Sequence, residues 1–303
     1  ANFPKGKGYE MAALGFVGGQ GMSDLITMDD LSNDEILEIL DAAERLLPVA
    51  NGDVYAPLLQ GKVLGNLFFE NSTRTRMSFE SAMKRLGGEV VNLSSVGSSV
   101  AKGETLYDTM QMVDGYSDIA VIRHPRQGAA QYSADAIGIP VLNAGDGAGN
   151  HPTQTMLDLF TIRQAHGTLE GLNVVLVGDL RYGRTTHSLS HALVRFGAKL
   201  TLVSPDSLRM PNEIVGDLQS HGADVAETEN FAGAIADADV IYMTRIQKER
   251  FPDEDEYTKV AGIYKMTADD LAVAKAGMIV MHPLPRVDEI DPSVDSTQHA
   301  RYF

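Results

Sequence analysis

The chain has 303 residues, 44% of them hydrophobic and 22% charged, which is the composition of a globular protein long enough for two domains. Its formal net charge of −16 at pH 7 argues against nonspecific binding to nucleic acid or to an acidic membrane surface. The chain has no cysteine, which excludes disulfides, thiolate catalysis and zinc–sulfur sites within it and agrees with a cytoplasmic location.

The first predicted elements fall in residues 23–150. Residues 1–22 are rich in Gly and Lys without the apolar core of an export signal, so we expect a flexible N-terminal tail. A capping box at residues 32–35 then begins a helix that Pro48 is expected to end. Apolar strands are predicted near residues 63–69, 90–93, 119–122 and 141–144, with helices after 76 and at 105–116 and 127–137.

A second alternation of helices and strands follows a boundary near His151. It comprises helices near 152–164 and 185–196 and strands near 174–179, 200–203, 240–243 and 278–281. Strands that alternate with helices indicate parallel sheets covered by helices. The sequence therefore predicts an α/β protein of two domains, residues 23–150 and 151–285, with the active site in the cleft between them.

A phosphate-binding segment is predicted where the first strand meets its helix, at Ser72-Thr73-Arg74-Thr75-Arg76. Backbone N–H groups at a helix N-terminus attract anions, hydroxyl groups add donors, and an Arg fork matches phosphate oxygens. A plain helix cap with solvated arginines is the alternative that this segment alone leaves open.

Polar residues also follow the later strands. In open α/β sheets ligands bind beyond the carboxyl ends of the strands, so these residues are candidates for one site. They are Arg123 after the third strand, His151 and Gln154 after the fourth, Arg184 after residues 174–179, Arg245 and Gln247 after residues 240–243, and Pro283 and Leu284 after residues 278–281.

These motifs resemble those of the aspartate and ornithine carbamoyltransferases. Ser-Thr-Arg-Thr-Arg is similar to the carbamoyl-phosphate signature, His151-Pro152-Thr153-Gln154-Thr155 to the second signature, and Lys102-Gly103-Glu104-Thr105 to the mobile substrate loop. Arg245-Ile246-Gln247 resembles the clamp for the aspartate carboxylates in the aspartate enzymes. His282-Pro283-Leu284-Pro285-Arg286 is similar to their late loop, where ornithine enzymes usually have cysteine in place of Pro283.

The resemblance implies a role for each candidate residue. Ser72, Thr73, Arg74 and Thr75 would hold the phosphate, and Thr75, Arg123 and His151 would point at the carbonyl oxygen. Gln154 and the backbone carbonyls near Pro283 and Leu284 would hold the carbamoyl NH₂, while Arg184, Arg245 and Gln247 would grip aspartate. Ser98 and Lys102 would come from a neighbouring subunit, which implies a homotrimer with shared sites.

The implied reaction transfers a carbamoyl group from carbamoyl phosphate to the amino group of aspartate, an early step of pyrimidine biosynthesis. Aspartate has two carboxylates and suits Arg184, Arg245 and Gln247, whereas ornithine would require an acidic partner for its side-chain ammonium group. Positioning and charge stabilisation would supply the catalysis, with no metal, redox cofactor or covalent intermediate.

Several alternatives stay open beside this interpretation. An ornithine enzyme and a catalytically silent scaffold domain are the competing functions, and a separate regulatory chain is a further partner that the sequence does not decide. His187 and His191, four residues apart on a helix, are expected to have packing or surface roles, and the spacing of Gly178 and Gly183 does not fit a dinucleotide fingerprint. Residues 286–303 are expected to return toward the first domain, without the family's last helix.

Overall fold

The structure, a computed structural model, describes residues 24–95, 97–147, 149–246 and 254–303. The predicted tail over residues 1–22 and the predicted site residue Gln247 lie outside these ranges. The chain divides into two compact units, of which the first ends at Pro152 and the second comprises Thr153–Phe303.

The first unit contains a parallel sheet of four strands in the order β2-β1-β3-β4. Side chains alternate between the faces of a strand, so Leu67 packs with Met110 on one face of the sheet while Leu64 and Phe68 pack on the other. Both faces are therefore buried under helices. The elements are α1 Asn33–Asn51, β1 Val63–Phe68, α2 Arg74–Arg85, β2 Glu89–Ser94, α3 Leu106–Tyr116, β3 Ile119–His124, α4 Ala129–Ala136 and β4 Val141–Asp146.

The second unit contains a parallel sheet of five strands in the order β7-β6-β5-β8-β9. Its elements are α5 Pro152–His166, β5 Asn173–Val177, α6 Arg184–Val194, β6 Lys199–Val203, α7 Asn212–Ser220, β7 Val225–Thr228, α8 Phe231–Ile235, β8 Val240–Met243, α9 Glu254–Val260 and β9 Ile279–Met281. The predicted class, two α/β domains with parallel, helix-covered sheets, is confirmed.

The end of α1 differs from the sequence prediction. Its N-terminus has the predicted capping box between Ser32 and Glu35, but the helix continues through Pro48 and ends three residues later at Asn51. A proline ring fixes φ near the helical value, so in the last turn it removes a hydrogen bond without ending the helix. The helix ends because Gly52 adopts a left-handed conformation (φ 84°) and its N–H caps the last carbonyls.

The C-terminal segment pairs with the second sheet. The Val280 N–H donates to the His299 carbonyl (2.8 Å), and the Arg301 N–H donates to the Val280 carbonyl (2.9 Å). These bonds add a short parallel bridge beside β9. Among the described residues, no helix combines the length and the apolar character that crossing a membrane requires.

Candidate active site

The predicted phosphate segment lies at the carboxyl end of β1. Thr73 occupies the N-cap position of α2, and its side chain makes no capping hydrogen bond. The hydroxyl group of Thr73 is thus not used for capping, and Arg74 begins the helix with an exposed side chain. Ser72 and Thr75 are half-buried beside it. The segment therefore presents hydroxyl groups and a guanidinium at the positive end of a helix dipole, as an anion site requires.

Arg123 lies at the end of β3, next to the end of β1. The Phe69 N–H donates to the Arg123 carbonyl (2.9 Å), which joins the two strand ends and brings Glu70 beside the guanidinium. Arg123 Nε lies 3.3 Å from Glu70 Oε2, and Nη1 donates to the Ala144 carbonyl at the end of β4 (3.3 Å). The Arg123 side chain is only 14% exposed, so its direction is fixed from two sides.

Two charged side chains, Glu70 and Arg74, affect the pKa of Arg123. Burial lowers the pKa of the Arg123 guanidinium, Glu70 raises it, and the positive charge of Arg74 lowers it again. An arginine keeps its charge despite such a shift, because its ordinary pKa lies far above neutral pH. Arg74 and Arg123 therefore form a cationic pair that suits an anionic ligand.

A turn after β4 leads to His151. The buried carboxylate of Asp146 stabilises this turn. It accepts hydrogen bonds from the backbone N–H groups of Gly128 (2.8 Å) and Asn150 (2.7 Å) and from the Asn143 side chain (3.3 Å). His151 follows this turn directly and is 6% exposed. The structure thus gives this histidine a fixed, buried position just before α5.

Ser98 and Lys102 lie on a separate loop between β2 and α3. Ser98 precedes a short 3₁₀ helix, Ser99–Lys102, and its hydroxyl donates to the Ser95 carbonyl (3.2 Å). Lys102 is exposed, and Gly103 ends the turn in a left-handed conformation (φ 95°). The loop therefore presents its lysine to solvent.

The second unit places Arg184 and Arg245 after adjacent strands. Arg184 begins α6, which follows β5, and Arg245 follows β8 by two residues. These strands pair in parallel, so both arginines lie at the carboxyl edge of one sheet, and both are half-buried. Gly178 allows the strand ends to meet, because a Cβ there would lie 2.3 Å from the Thr244 carbonyl oxygen. This close approach gives Gly178 a packing role.

Pro283 and Leu284 follow β9 in a loop held by two buried residues. His282 Nε2 donates to Glu289 Oε1 (2.6 Å), and the Leu284 N–H donates to His282 Nδ1 (2.7 Å). Leu284 has a positive φ of 55°, a conformation that is strained for residues other than glycine. Burial alone would raise the pKa of Glu289, but its hydrogen bonds, first that from His282, lower it. Glu289 is therefore an ionised carboxylate that holds this loop through its hydrogen bonds.

Gln154 is tied to a buried carboxyl group one turn further along α5. Its Nε2 donates to Asp158 Oδ1 (3.1 Å), and the Tyr242 hydroxyl donates to Asp158 Oδ2 (2.9 Å). Burial raises the pKa of Asp158 to about 8, although both hydrogen bonds oppose this effect. Burial also raises the pKa of Tyr242.

Sequence reasoning missed four groups that hold the candidate residues in place: Glu70, Asp158, Tyr242 and the His282–Glu289 pair. A signal existed for Asp158, because Gln154 and Asp158 are four residues apart on a predicted helix and such residues are neighbours on one face. Glu70 lies two residues before the predicted phosphate segment, but its pairing with Arg123 depends on the order of strands in the sheet. The pairing of His282 with Glu289 depends on how the loop folds back.

Two family models match almost the whole described chain. Residues 23–164 match the carbamoyl-phosphate-binding domain of the aspartate/ornithine carbamoyltransferases, and residues 170–303 match their aspartate/ornithine-binding domain. Similar proteins include the aspartate carbamoyltransferase catalytic subunit of Archaeoglobus fulgidus, 55% identical over 93% of both chains. That of Thermococcus kodakarensis is 54% identical over 92% of this chain and 91% of its own.

Solved structures of aspartate transcarbamoylases are similar to this chain in both fold and sequence. The catalytic subunit of M. jannaschii aspartate transcarbamoylase is 49% identical and superposes with a TM-score of 0.87, covering 93% of this chain and 92% of that one. Aspartate transcarbamoylase from Trypanosoma cruzi, in complex with N-(phosphonacetyl)-L-aspartic acid, is 40% identical with a TM-score of 0.90, covering 97% and 94%. This chain therefore belongs to the aspartate/ornithine carbamoyltransferase family.

Proposed function

We propose that the chain transfers the carbamoyl group of carbamoyl phosphate to the amino group of L-aspartate, forming N-carbamoyl-L-aspartate and phosphate. The observation that carries the choice of aspartate is the placement of Arg184 and Arg245 after the adjacent strands β5 and β8. Two guanidinium groups at one sheet edge suit the two carboxylates of aspartate. The relatives named as aspartate carbamoyltransferase catalytic subunits support the same choice.

The first unit supplies the groups for carbamoyl phosphate. The hydroxyl groups of Ser72, Thr73 and Thr75 and the Arg74 guanidinium bind the phosphate at the start of α2. This assignment is supported by the absence of a side-chain cap at Thr73 and by the charge of Arg74 near Arg123. The structure of the T. cruzi enzyme with carbamoyl phosphate, from a protein 40% identical to this chain, supports the ligand.

Charge develops on the carbonyl oxygen when the amino group of aspartate attacks the carbamoyl carbon. Arg123 and His151, with Thr75, stabilise this oxyanion until phosphate leaves. His151 is buried and Arg123 is largely buried, and both are positioned before the reaction, Arg123 by Glu70 and Ala144 and His151 by the turn after β4. Donors fixed in advance need no rearrangement as charge appears, which is why they lower the barrier.

The second unit supplies the remaining contacts. Gln154 and the carbonyls of Pro283 and Leu284 accept hydrogen bonds from the carbamoyl NH₂, while Arg184, Arg245 and Gln247 bind aspartate. The loop that contains Pro283 and Leu284 is held from behind by His282 and Glu289, which supports a fixed position for its carbonyls. Residues 23–150 accordingly form the carbamoyl-phosphate domain and residues 151–285 the aspartate domain, followed by a C-terminal segment.

The assembly that we propose is a homotrimer in the cytoplasm. Ser98 and Lys102 complete the site of a neighbouring subunit, and the exposure of Lys102 on its loop suits a contact with another copy. The relatives are named as catalytic subunits, which supports a separate regulatory chain as a partner.

The reaction is tested with carbamoyl phosphate labelled with carbon-13 at the carbonyl. Carbon-13 and phosphorus-31 NMR of one sample should show the label in carbamoyl aspartate and an equal amount of phosphate. Phosphate release without the labelled product would contradict the transfer. The Arg123→Ala variant serves as the control for uncatalysed breakdown of carbamoyl phosphate.

A further inference from the structure

Asp158 is a carboxyl group without a cationic partner among the hydrogen bonds that the structure describes for it. It is 2% exposed, and its two oxygens accept from an amide, Gln154 Nε2, and a phenol, Tyr242 Oη. Burying such a group is unfavourable unless its hydrogen bonds are made, and an apolar side chain of the same shape would avoid that cost. The proposed reaction steps do not use Asp158, so its position calls for another role.

We propose that Asp158 is a positioning residue that fixes the orientation of the Gln154 amide, so that the amide oxygen is left to accept a hydrogen bond from the carbamoyl NH₂. This inference rests on the proposed function, which assigns that contact to Gln154. The Gln154 side chain has an NH₂ donor at one end and an oxygen acceptor at the other. Asp158 Oδ1 engages the NH₂ end over 3.1 Å.

The orientation matters because the carbamoyl NH₂ is a hydrogen-bond donor. An amide turned by half a rotation would present its own NH₂ group to the substrate, and two donors cannot pair. A glutamine with no fixed neighbour exchanges between these orientations. With Asp158 beside it, the amide is held in the orientation that the substrate requires before the substrate arrives.

The arrangement holds whether or not Asp158 is ionised. An ionised Asp158 accepts hydrogen bonds from both neighbours. When Asp158 is protonated, Oδ2 can carry the proton and donate to the Tyr242 oxygen, so Oδ1 still accepts from Gln154. Hydrogen bonding of the Tyr242 phenol with Thr185, at the start of α6, and with Gln154 lowers the pKa of Tyr242 against the larger effect of burial. The raised pKa of Asp158 therefore leaves the role unchanged.

A double-mutant cycle separates positioning from a merely structural role. Asp158→Leu keeps the shape of the side chain but removes its acceptors, and we expect kcat/KM for carbamoyl phosphate to fall about 10- to 100-fold. We expect Gln154→Ala to cause a loss of similar size, and the double variant to be no worse than either single variant. Asp158→Asn, whose oxygen can face Gln154 while its NH₂ donates to Tyr242, should retain most of the activity.

Thr155→Val is the matched control on the same helix. Thr155 is 1% exposed and its hydroxyl has no hydrogen-bond partner among the residues that the structure describes, so this nearly isosteric change tests the effect of altering a buried polar residue of α5. We expect wild-type kinetics. If Asp158→Leu does not fold, Asp158→Ser replaces it, because a serine hydroxyl is too short to reach Gln154.

The outcomes distinguish this inference from the proposed function. A further tenfold loss when the Asp158 change is added to Gln154→Ala would overturn the inference, because Asp158 would then act independently of Gln154. A wild-type protein that forms no carbamoyl aspartate would overturn the proposed function instead. In that case neutron crystal structures of the wild type and the Asp158 variant, which distinguish the amide nitrogen from the amide oxygen, decide: we expect the Gln154 amide to lose its single orientation in the variant, and an unchanged orientation would contradict the inference.

Discussion

Glu289 and His282 form a buried pair, with 2.6 Å between Glu289 Oε1 and His282 Nε2. The same carboxylate accepts from the backbone N–H groups of Val287 and Asp288, while the other ring nitrogen of His282 accepts from the N–H of Leu284. One buried carboxylate thus fixes the loop whose carbonyls are proposed to bind the carbamoyl NH₂.

Glu289→Ala should lower both stability and activity. The substitution leaves the His282 ring and two backbone N–H groups without their acceptor, which costs about 1–3 kcal/mol for each buried donor that finds no water. We expect a lower melting temperature and a lower kcat, measured by calorimetry and by product formation. Glu213→Ala, at an exposed position of α7, is the control. Unchanged turnover in a destabilised Glu289 variant would exclude a role of this loop in catalysis.

Arg123→Ala should lower kcat by about 100- to 1000-fold, the usual effect of removing one oxyanion donor. The fold should remain intact, because the guanidinium lies at a strand end and its partner Glu70 is itself partly exposed. Arg126→Ala, at an exposed position three residues further on, should have wild-type kinetics. Near-normal turnover by Arg123→Ala would remove this residue from the mechanism.

Arg245→Ala should raise KM for aspartate by about tenfold or more, since a hydrogen bond to a charged group contributes roughly 1.5–3 kcal/mol. Carbamoyl phosphate binding, measured by calorimetry, should change little. Arg286→Ala is the control, because the Arg286 guanidinium already pairs with Asp295. Equal effects of the two changes on KM for aspartate would contradict the assignment of Arg245.

Mixing two inactive variants tests whether sites are shared. In a mixed trimer of Arg123→Ala and Lys102→Ala subunits, one of the three sites combines an intact Arg123 with an intact Lys102. Random exchange of equal amounts should therefore restore about a quarter of wild-type activity, as the symmetry of a ring of three requires. Native mass spectrometry verifies exchange, and mixed trimers without activity would show that sites are not shared.

The pKa of Asp158 predicts a change of stability with pH. In the unfolded chain an aspartate has a pKa of about 4, whereas burial raises that of Asp158 to about 8 in the folded protein. Between these values the folded state holds a proton that the unfolded state has released. The stability contributed by this group therefore decreases as pH rises from about 4 to about 8 and is constant outside that window.

Asp158→Asn cannot ionise and lacks this dependence. The free energy of unfolding of the variant, minus that of the wild type, should increase from pH 5 to pH 8 in urea titrations. A difference that stays constant over this range would show that Asp158 does not titrate there.

The architecture was largely predictable because local patterns determine it. Apolar runs of strand length, separated by helical patterns, indicated parallel sheets. The rule that ligands bind beyond the carboxyl ends of parallel strands grouped Arg74 with Arg123 and Arg184 with Arg245. The predicted end of α1 at Pro48 was wrong, because the helix continues to Asn51. The effect of a proline depends on how close it is to the end of the helix. The residues that hold the site residues in place could not be predicted from local sequence. Glu70 contacts Arg123 only because of the order of strands in the sheet, and Glu289 contacts His282 only because the loop between them folds back.

The most direct test of the central claim is a competition between aspartate and ornithine at equal concentration, with carbamoyl phosphate limiting. Mass spectrometry of one reaction gives the ratio of the two carbamoylated products. The placement of Arg184 and Arg245 predicts carbamoyl aspartate almost exclusively. Carbamoylated ornithine as the main product would contradict the aspartate assignment while leaving the carbamoyl-phosphate half of the site in place.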